Sequence, residues 1–594
     1  MALVSPTAAN STVPQTENDG KGQIVRPMAQ FPPSAWGHYF VDLVQDEEKL
    51  DQWAKRAEVL KGEVKEMLKL AEGSPDEIHL LDAVYRLGLD YQFEKEIDEA
   101  LSRIHNVDHV DAGDDLYTVA TRFRVLREGG YKASTDVFNK FLDEQGKFKQ
   151  SLASDVKGLL SLHEAAFLNV EGEDILDEAI GFASEHLRKS ALPTTMEPSL
   201  AKQVARAVKI PTHRRLPRLN ARYFISLYEE LNNATDPVLL EYAKLDYNLV
   251  QSVHQREIRD ISKWWKDQEL AEKCFYARNR VVECYFWIMS VTFDPRYSRS
   301  RVFATKILGL ISLIDDTYDA YGVYEELKLF TDAVERWDVK AEETLPEYMR
   351  PLFRELIVYT QEFHDEIAPD GLSYQIDYMI EAMKDLCKAF FVETEWYVKQ
   401  YQPGTEEHMN VSFTSCGYRT IFLLSMVGMG EVNSDIFEWL KTQPRITMAA
   451  AEICRFIDDI VTGKFEQQRG HVESTVECFM RERGLTEKEV VDLFRQYYAV
   501  AWKDINQGCM KPTPYPTKLI TRPVNLARVM EVLYEDNKDG YTFSHVHGVG
   551  AHRAVAVADT VDEMVPLPVA VGKRLLGKEH KCKNRDHNFT TFND

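Results

Sequence analysis

The feature that most constrains the fold is a helical periodicity that continues, with few breaks, from residue 36 to residue 541. Apolar side chains recur three and four positions apart, for example at Leu159, Leu162 and Ala166. Alternating apolar patterns bounded by Asn-Gly or Asp-Gly turns, which indicate β-hairpins, are scarce. The sequence therefore predicts an all-α protein.

At 594 residues the chain is long enough for two or more domains. A basic, proline-containing segment at 209–218 interrupts the helical pattern and is typical of a connector. We place the domain division near residue 240. The predicted segments are a disordered leader (1–25), an N-terminal helical domain (26–240), a second helical domain (241–545) and an atypical tail (546–594), in which the periodicity is lost.

Composition and charge exclude several classes of partner. The chain carries 71 basic and 95 acidic residues, a formal charge of −24, so nucleic acid and anionic membranes would repel it. No apolar stretch reaches the roughly 18 residues that span a bilayer. Eight cysteines without a CxxC pair favour a reducing compartment. The N-terminus has neither an apolar signal core nor an arginine before Arg26, so we expect a cytoplasmic protein.

The strongest local motif is the acidic run DDTYD at 315–319, which follows the apolar stretch 302–314. Asp315 and Asp319 are four positions apart, so both carboxylates project from one helix face. Anions at the end of a buried helix are costly unless cations meet them, and Mg²⁺ takes one or two protein carboxylates beside water and phosphate oxygens. Taken alone, the motif is equally typical of an exposed acidic helix end.

A second acidic stripe lies in the run DDIVTGKFE at 458–466. Asp458, Thr462 and Glu466 are spaced by four residues, so they follow one helix face with about 40° of drift per step. Two carboxylates and a hydroxyl form an oxygen-only set that suits a hard cation. A solvated arrangement near a helix end explains this stripe about as well when it is considered alone.

Three arginines are candidate phosphate ligands, since guanidinium groups bind phosphate oxygens in pairs. Arg278 and Arg280 lie in the run RNR upstream of the first acidic motif, and Arg455 precedes the second. Two positions apart on a regular helix, Arg278 and Arg280 would diverge, so we expect them at a helix start or in a loop. For any one arginine, a surface ion pair is the more common role.

Aromatic residues supply the last element of the pattern. Trp287 lies in the apolar run CYFWIM, and Tyr534 and Tyr541 flank Asp539. Ring faces attract cations, most strongly in a dry pocket, although a tryptophan in an apolar helix usually belongs to the core. Two metal-binding stripes, paired arginines and nearby aromatics together predict a cage for a diphosphate above an apolar pocket.

These motifs resemble those of the plant terpene synthase family. The resemblance runs from about residue 26 to residue 541 and rests on DDTYD, DDIVTGKFE, RNR, RNRVVECYFW and NLARVMEVLYEDNKDGYT. It implies a class I terpenoid synthase bundle preceded by an α-barrel-like vestigial domain, which lacks the DxDD acid motif. It also implies a prenyl diphosphate substrate, three Mg²⁺ ions with Mn²⁺ as an accepted substitute, and a monomer.

The resemblance assigns a role to each motif residue. Asp315 and Asp319 would bind two ions, with Asp316 in support, and Asp458, Thr462 and Glu466 would bind the third. The diphosphate would contact Arg278, Arg280, Arg455 and the carboxylates Asp315, Asp319 and Asp458. Trp287 would stabilise carbocations, Asp539 and Tyr541 would lie on a capping loop, and Tyr534 near the cavity. By spacing, Leu308 and Ser312 are pocket-wall candidates, and Ser415–Gly417 would form a helix kink.

The N-terminal run RPMAQFPPSAWG contains Arg26, Pro27 and Trp36 and resembles the cytosolic sesquiterpene branch of the family. We therefore expect farnesyl diphosphate as the substrate. A monoterpene synthase that uses geranyl diphosphate, and a catalytically impaired homologue with a disturbed C-terminus, remain the alternatives. A chain-elongating prenyltransferase is disfavoured because the second acidic motif is not DDxxD.

Overall fold

The computed structural model describes residues 15–18, 23–26, 29, 31–37, 39–106, 115–190, 196–231, 236–468 and 473–543. Residues 15–18, 23–25 and 464–468 are described by their backbone alone. The predicted tail 546–594 and most of the predicted leader lie outside the described residues.

The all-α prediction is confirmed, with one short exception near the N-terminus. The strands β1 (Gln15–Asn18) and β2 (Gln23–Arg26) pair antiparallel, with Gln15 opposite Arg26. This ribbon lies where we predicted a disordered leader. Ile24 and Val25, whose branched side chains favour extended backbone, explain why the second strand forms there.

The first helical unit surrounds one apolar core, to which Leu60, Leu81, Phe123, Leu162 and Leu187 contribute fully buried side chains. Its helices are α1 (Glu47–Leu70), α2 (Glu77–Arg86), α3 (Glu94–Asn106), α4 (Leu116–Glu128), α5 (Val156–Ala166), α6 (Asp174–Ser190), α7 (Pro198–Lys209), α8 (Pro217–Glu230) and α9 (Pro237–Asp267).

The second helical unit surrounds a larger core, in which Phe286, Leu310, Phe353, Met383 and Leu526 are buried. Its further helices are α10 (Leu270–Lys273), α11 (Val281–Val291), α12 (Ser298–Ala320), α13 (Tyr324–Arg336), α14 (Arg350–Ile367), α15 (Tyr374–Lys399), α16 (Thr405–Ser415), α17 (Tyr418–Leu424), α18 (Ser434–Lys441), α19 (Arg445–Gln468), α20 (Thr475–Arg483), α21 (Glu487–Cys509) and α22 (Thr517–Leu533).

The predicted division near residue 240 falls inside α9, which serves both cores. Tyr242 and Tyr247 in its first half pack in the first core, whereas Ile258 and Ile261 in its second half pack in the larger one. Asp236 caps the helix and Pro237 opens it, so the helix begins just before the predicted boundary and continues across it.

The residues just before α1, which the prediction assigns to the N-terminal domain, pack on the second helical unit. Trp36 and Phe40 belong to the larger core, and Nε1 of Trp36 donates to Glu283 at 3.2 Å. Arg26 forms a two-point ion pair with Glu326, with N–O distances of 2.6 and 2.9 Å. Arg26, Trp36 and Phe40 therefore pack on the unit that carries the cavity described below. Among the described helices, none has the length and apolar character needed to cross a membrane.

Candidate active site

Residues of both acidic stripes line one cavity in the second helical unit. Asp315 and Asp319 come from the end of α12, and Asp458 and Thr462 come from α19. Most of the residues that the sequence predicts for the site line this cavity: Arg278, Trp287, Leu308, Ser312, Asp315, Asp319, Ser415, Cys416, Gly417, Arg455, Asp458, Thr462, Tyr534, Asp539 and Tyr541. The structure thus brings residues of the two acidic motifs to one cavity, and their binding of metal stays a prediction.

The apolar run of α12 fixes the orientation of the DDTYD motif. The helix is buried over most of its length, and Gly309 lies so close to α9 that a Cβ there would approach Trp265 to 2.9 Å. This packing turns Asp315 and Asp319 toward the cavity and leaves Asp319 exposed at its mouth. Asp316 points inward instead and is 1% exposed.

Arg278 connects the two neighbouring aspartates of this motif. Its backbone N–H donates to Asp316 at 2.7 Å, its Nε donates to the same oxygen, and its Nη2 lies 2.7 Å from Oδ2 of Asp315. Burial raises the pKa of Asp316, and the adjacent guanidinium opposes that rise. The buried carboxylate thus holds Arg278 at the cavity wall.

Arg455 on α19 likewise pairs with two neighbouring aspartates, Asp458 and Asp459. Oδ2 of Asp459 accepts the backbone N–H of Thr475 at 3.0 Å, which ties α19 to the start of α20. Thr462 donates its hydroxyl to the backbone carbonyl of Asp458 at 3.0 Å. Glu466 belongs to the same helix, but its side chain lies outside the described residues.

The structure does not bring Arg280 into the cavity lining, and its predicted contact with the diphosphate stays a prediction. Its guanidinium is buried and donates to four backbone carbonyls. The acceptors are those of Asn279, Pro32, Tyr541 and Thr542, at distances from 2.7 to 3.0 Å. Arg280 therefore joins the N-terminal segment to the segment that follows α22. The sequence could not reveal this, because the side-chain direction in the non-helical run RNR depends on tertiary contacts.

The residues after α22 form a cap over the cavity. Oδ1 of Asp539 accepts the backbone N–H groups of Tyr541 and Thr542 at 2.9 and 2.8 Å, which bends the chain toward the opening. The hydroxyl of Tyr541 donates to Ser312 on α12 at 2.7 Å, and that of Tyr534 donates to Asp458. Burial raises the pKa of both tyrosines well above its usual value, so both remain donors.

Aromatic side chains form one wall of the cavity. The ring of Trp287 meets those of Tyr541 and Tyr418 edge to face, with centroid distances of 5.6 and 6.1 Å. Next to this aromatic group, α16 ends at Ser415 and α17 begins at Tyr418, with Gly417 at a φ of 74° between them. Only glycine takes this backbone geometry without strain, and the helix break leaves Ser415 and Gly417 on the cavity wall.

Several cavity residues were not identified from the sequence. They come from elements far apart in the chain, and no local spacing connects them: Phe31, Ile311, Phe390, Glu393, His408, Ser412, Ile421, Cys454, Asp459, Glu473, Ser474, Thr475 and Thr542. Only Asp459 had a signal, since it is the second aspartate of a DD pair.

The donor set suits magnesium. The two stripes present oxygen ligands from Asp315, Asp319, Asp458 and Thr462, with no sulfur or imidazole among them. Within the described part of the chain, no three acidic, histidine or cysteine side chains converge as a complete metal site. Mg²⁺ does not need one, because it completes its octahedron with water and substrate phosphates. The residues present therefore fit this cation.

A helical bundle with two facing acidic stripes, cavity arginines and an aromatic wall defines a class of enzymes that bind organic diphosphates through metal ions. Residues 35–208 match the N-terminal domain of terpene synthases, and residues 266–504 match the metal-binding domain of the terpene synthase family. The chain belongs to the terpene synthase family.

Curated relatives and solved structures agree with this assignment. The chain is 47% identical to terpene synthase 1 of Piper nigrum over 88% of its length and 93% of the relative. It is 44% identical to sesquiterpene synthase 2 of Toona sinensis, over 88% of its length and 94% of that protein. Isoprene synthase from grey poplar leaves, in complex with three Mg²⁺ ions and dimethylallyl-S-thiolodiphosphate, superposes with a TM-score of 0.79 at 31% identity, covering 90% of this chain and 100% of that one.

Proposed function

We propose that this protein is a sesquiterpene synthase that ionises farnesyl diphosphate and cyclises the resulting carbocation with release of diphosphate. The observation that carries the proposal is the convergence of Asp315 and Asp458, from two separate helices, on one cavity with aromatic walls. The similarity to a sesquiterpene synthase of Toona sinensis supports the fifteen-carbon substrate. The Arg26-Pro27 pair supports a cytoplasmic enzyme, and we expect a monomer.

Asp315, Asp319, Asp458, Thr462 and Glu466 would hold Mg²⁺, as the metal-bound grey poplar enzyme suggests. The metal, when bound, supplies positive charge that makes the diphosphate a better leaving group. Mn²⁺ is proposed as a substitute because it accepts the same oxygen ligands.

Among the residues whose side chains the structure describes, Arg278 and Arg455 are the cations that line the cavity beside the acidic stripes. Each is paired with two aspartates, so each is already oriented before a substrate arrives. We expect them to bind the phosphate oxygens as charge develops on the leaving group, because oriented donors in a dry site stabilise such charge most strongly.

The cap residues keep water out while the cation rearranges. Asp539 fixes the turn, Tyr541 closes it onto Ser312, and Arg280 holds the backbone behind it. Trp287 and Tyr541 present ring surfaces that stabilise positive charge in the apolar part of the cavity. The shape of the walls then selects which carbons meet.

The proposal is tested by incubating the purified protein with geranyl, farnesyl and geranylgeranyl diphosphates, each with Mg²⁺, and analysing the volatile products. We expect C15 products from farnesyl diphosphate, and none after chelation of the metal by EDTA. A preference for the ten-carbon substrate would favour the monoterpene reading. No product from any of the three substrates would favour the impaired homologue.

A further inference from the structure

Three residues of the cavity lining carry a buried polar atom that has no hydrogen-bond partner among the described residues, and one of these atoms is Nε1 of Trp287. The other two are Nδ1 of His408 on α16 and Oγ1 of Thr475, the first residue of α20. His408 is 4% exposed and Thr475 is fully buried, and both line the cavity. A buried polar atom without a partner destabilises the protein, so a ligand of the cavity that bonds to these atoms removes that cost.

The protonation of His408 follows from its other contacts. Nε2 lies 2.8 Å from the backbone carbonyl oxygen of Glu473, which only accepts, so Nε2 carries the hydrogen. Burial lowers the pKa of His408, and the ring remains neutral. Nδ1 is then a bare acceptor, and stacking on Trp396, with centroids 5.8 Å apart, fixes its direction.

Thr475 is fixed as firmly as His408. Its backbone N–H donates to Asp459 at 3.0 Å, and its hydroxyl both donates and accepts. One turn along α16 from His408, the hydroxyl of Ser412 lies on the same cavity wall and is also buried. Because the Ser412 hydroxyl already donates to the backbone carbonyl of Met409, it can only accept from a ligand. The three side chains therefore offer two acceptors and one hydroxyl that both donates and accepts.

This set matches one water molecule, which needs two to four polar partners in a buried site. It does not match a phosphate oxygen, because the lone pair of Nδ1 would repel an anion. It does not match an isoprenoid chain either, because both atoms would stay unpaired. The polar set lies in the same cavity as Trp287 and the other pocket walls.

We propose that His408 and Thr475 hold a water molecule that captures the carbocation, so that the enzyme releases a terpenoid alcohol. A C–O bond forms between the water oxygen and the cationic carbon. One O–H bond of that water breaks, its electrons remain on oxygen, and Nδ1 of His408 takes the proton. The inference rests on the proposed ionisation of farnesyl diphosphate and needs no further reactant.

The test uses the full-length enzyme, farnesyl diphosphate, Mg²⁺ and ¹⁸O-labelled water, with the products separated by gas chromatography and mass spectrometry. His408→Phe keeps a ring against Trp396 but removes Nδ1, and Thr475→Val is a near-isosteric loss of the hydroxyl. Thr414→Val is the matched control, because Thr414 is a half-buried residue of α16 outside the cavity lining whose hydroxyl donates to the backbone carbonyl of Asn410. Asp315→Ala measures the alcohol released by contaminating phosphatases.

We expect the wild type and Thr414→Val to form a labelled alcohol well above the Asp315→Ala background. The alcohol fraction should fall at least fivefold in both His408→Phe and Thr475→Val, while hydrocarbon products persist. An unchanged alcohol fraction in both variants, or a wild type that forms hydrocarbons alone, overturns the inference and leaves the proposed function standing. A wild type without any terpenoid product overturns both.

Discussion

Nη2 of Arg278 lies 2.7 Å from Oδ2 of Asp315, so an arginine of the cavity wall neutralises the first carboxylate of the DDTYD motif. The same guanidinium is held by Asp316 from behind. Arg278, a proposed phosphate ligand, and Asp315, a proposed metal ligand, thus form an ion pair with each other in this structure. When metal and diphosphate bind, this ion pair would be replaced by two others: Asp315 with the metal ion and Arg278 with the diphosphate.

The first prediction concerns Asp315→Asn. The amide keeps the shape of the side chain but loses its charge, so we expect turnover of farnesyl diphosphate to fall at least about 100-fold, the equivalent of about 3 kcal/mol. Circular dichroism should match the wild type, because Asp315 is not part of the core. Glu343→Gln, an exposed charge loss away from the cavity, is the control. Wild-type turnover in Asp315→Asn would contradict its role as a metal ligand.

The second prediction is that substitutions of the two arginines in the RNR run change different kinetic parameters. Arg278→Gln removes a cavity cation, so we expect kcat to fall about 100-fold or more, as when a preorganised donor of the transition state is lost. Arg280→Gln removes bonds to the cap backbone, so we expect mainly a rise of KM, about tenfold for one lost charge-assisted hydrogen bond. Steady-state kinetics of both variants check this. Equal losses of kcat would contradict a purely structural role for Arg280.

The cap is also held from the first helical unit. Nζ of Lys209, at the end of α7, lies 2.7 Å from Glu535 and 3.1 Å from Asp536. Asp536 and Asn537 both have positive φ, a strained geometry that costs about 1 kcal/mol or more per residue and needs outside support. Because the ion pair is partly exposed, Lys209→Ala should raise KM only about two- to fivefold.

If the Lys209–Glu535 ion pair supports the cap, variants that keep or restore this pair should keep or restore the KM. Lys209→Arg should keep the wild-type KM, and Lys209→Glu combined with Glu535→Lys should recover much of the loss caused by Lys209→Glu alone. A double substitution no better than the single one would mean that the contact does not support the cap.

A fourth prediction concerns pH. Burial raises the pKa of Asp246 on α9 to about 6, although Tyr91 and Gln92 donate to it. Since the folded value exceeds the unfolded one, this carboxyl stabilises the protein below about pH 4, and that contribution is lost as the pH rises to 6. A difference of about 2 units corresponds to about 3 kcal/mol.

Asp246→Asn removes this titration. The free energy of unfolding of the variant, relative to the wild type, should therefore rise between pH 4 and pH 7, as measured by denaturant titration at both values. Asp260→Asn, an exposed change on the same helix, provides the reference. A constant difference between Asp246→Asn and the wild type would show that the carboxyl titrates normally in the folded protein.

Local spacing carried most of the site prediction. The faces of α12 and α19 could be read from residues four apart, because helix geometry alone places Asp315 with Asp319 and Asp458 with Thr462. The same reasoning placed Leu308 and Ser312 on the wall. The helical class followed from periodicity, which a buried helix must show regardless of its neighbours.

The remaining features depend on how distant segments meet. Phe31 and His408 reach the cavity from segments whose sequence carries no acidic motif, and only packing brings them there. Arg280 faces away from the cavity because distant backbone carbonyls surround it. Helical periodicity is continuous through α9 and does not reveal which core each turn enters, so it gives no sharp position for the predicted division near residue 240.

Helix α9, which contributes side chains to both cores, has a consequence for how the molecule comes apart. The two halves of α9 share one hydrogen-bonded backbone. Unfolding of either core therefore destabilises the helix that also packs in the other core. Heat or denaturant should then unfold the two helical units in a single cooperative transition. The first unit, which lacks the cavity, thereby stabilises the second unit, which contains it.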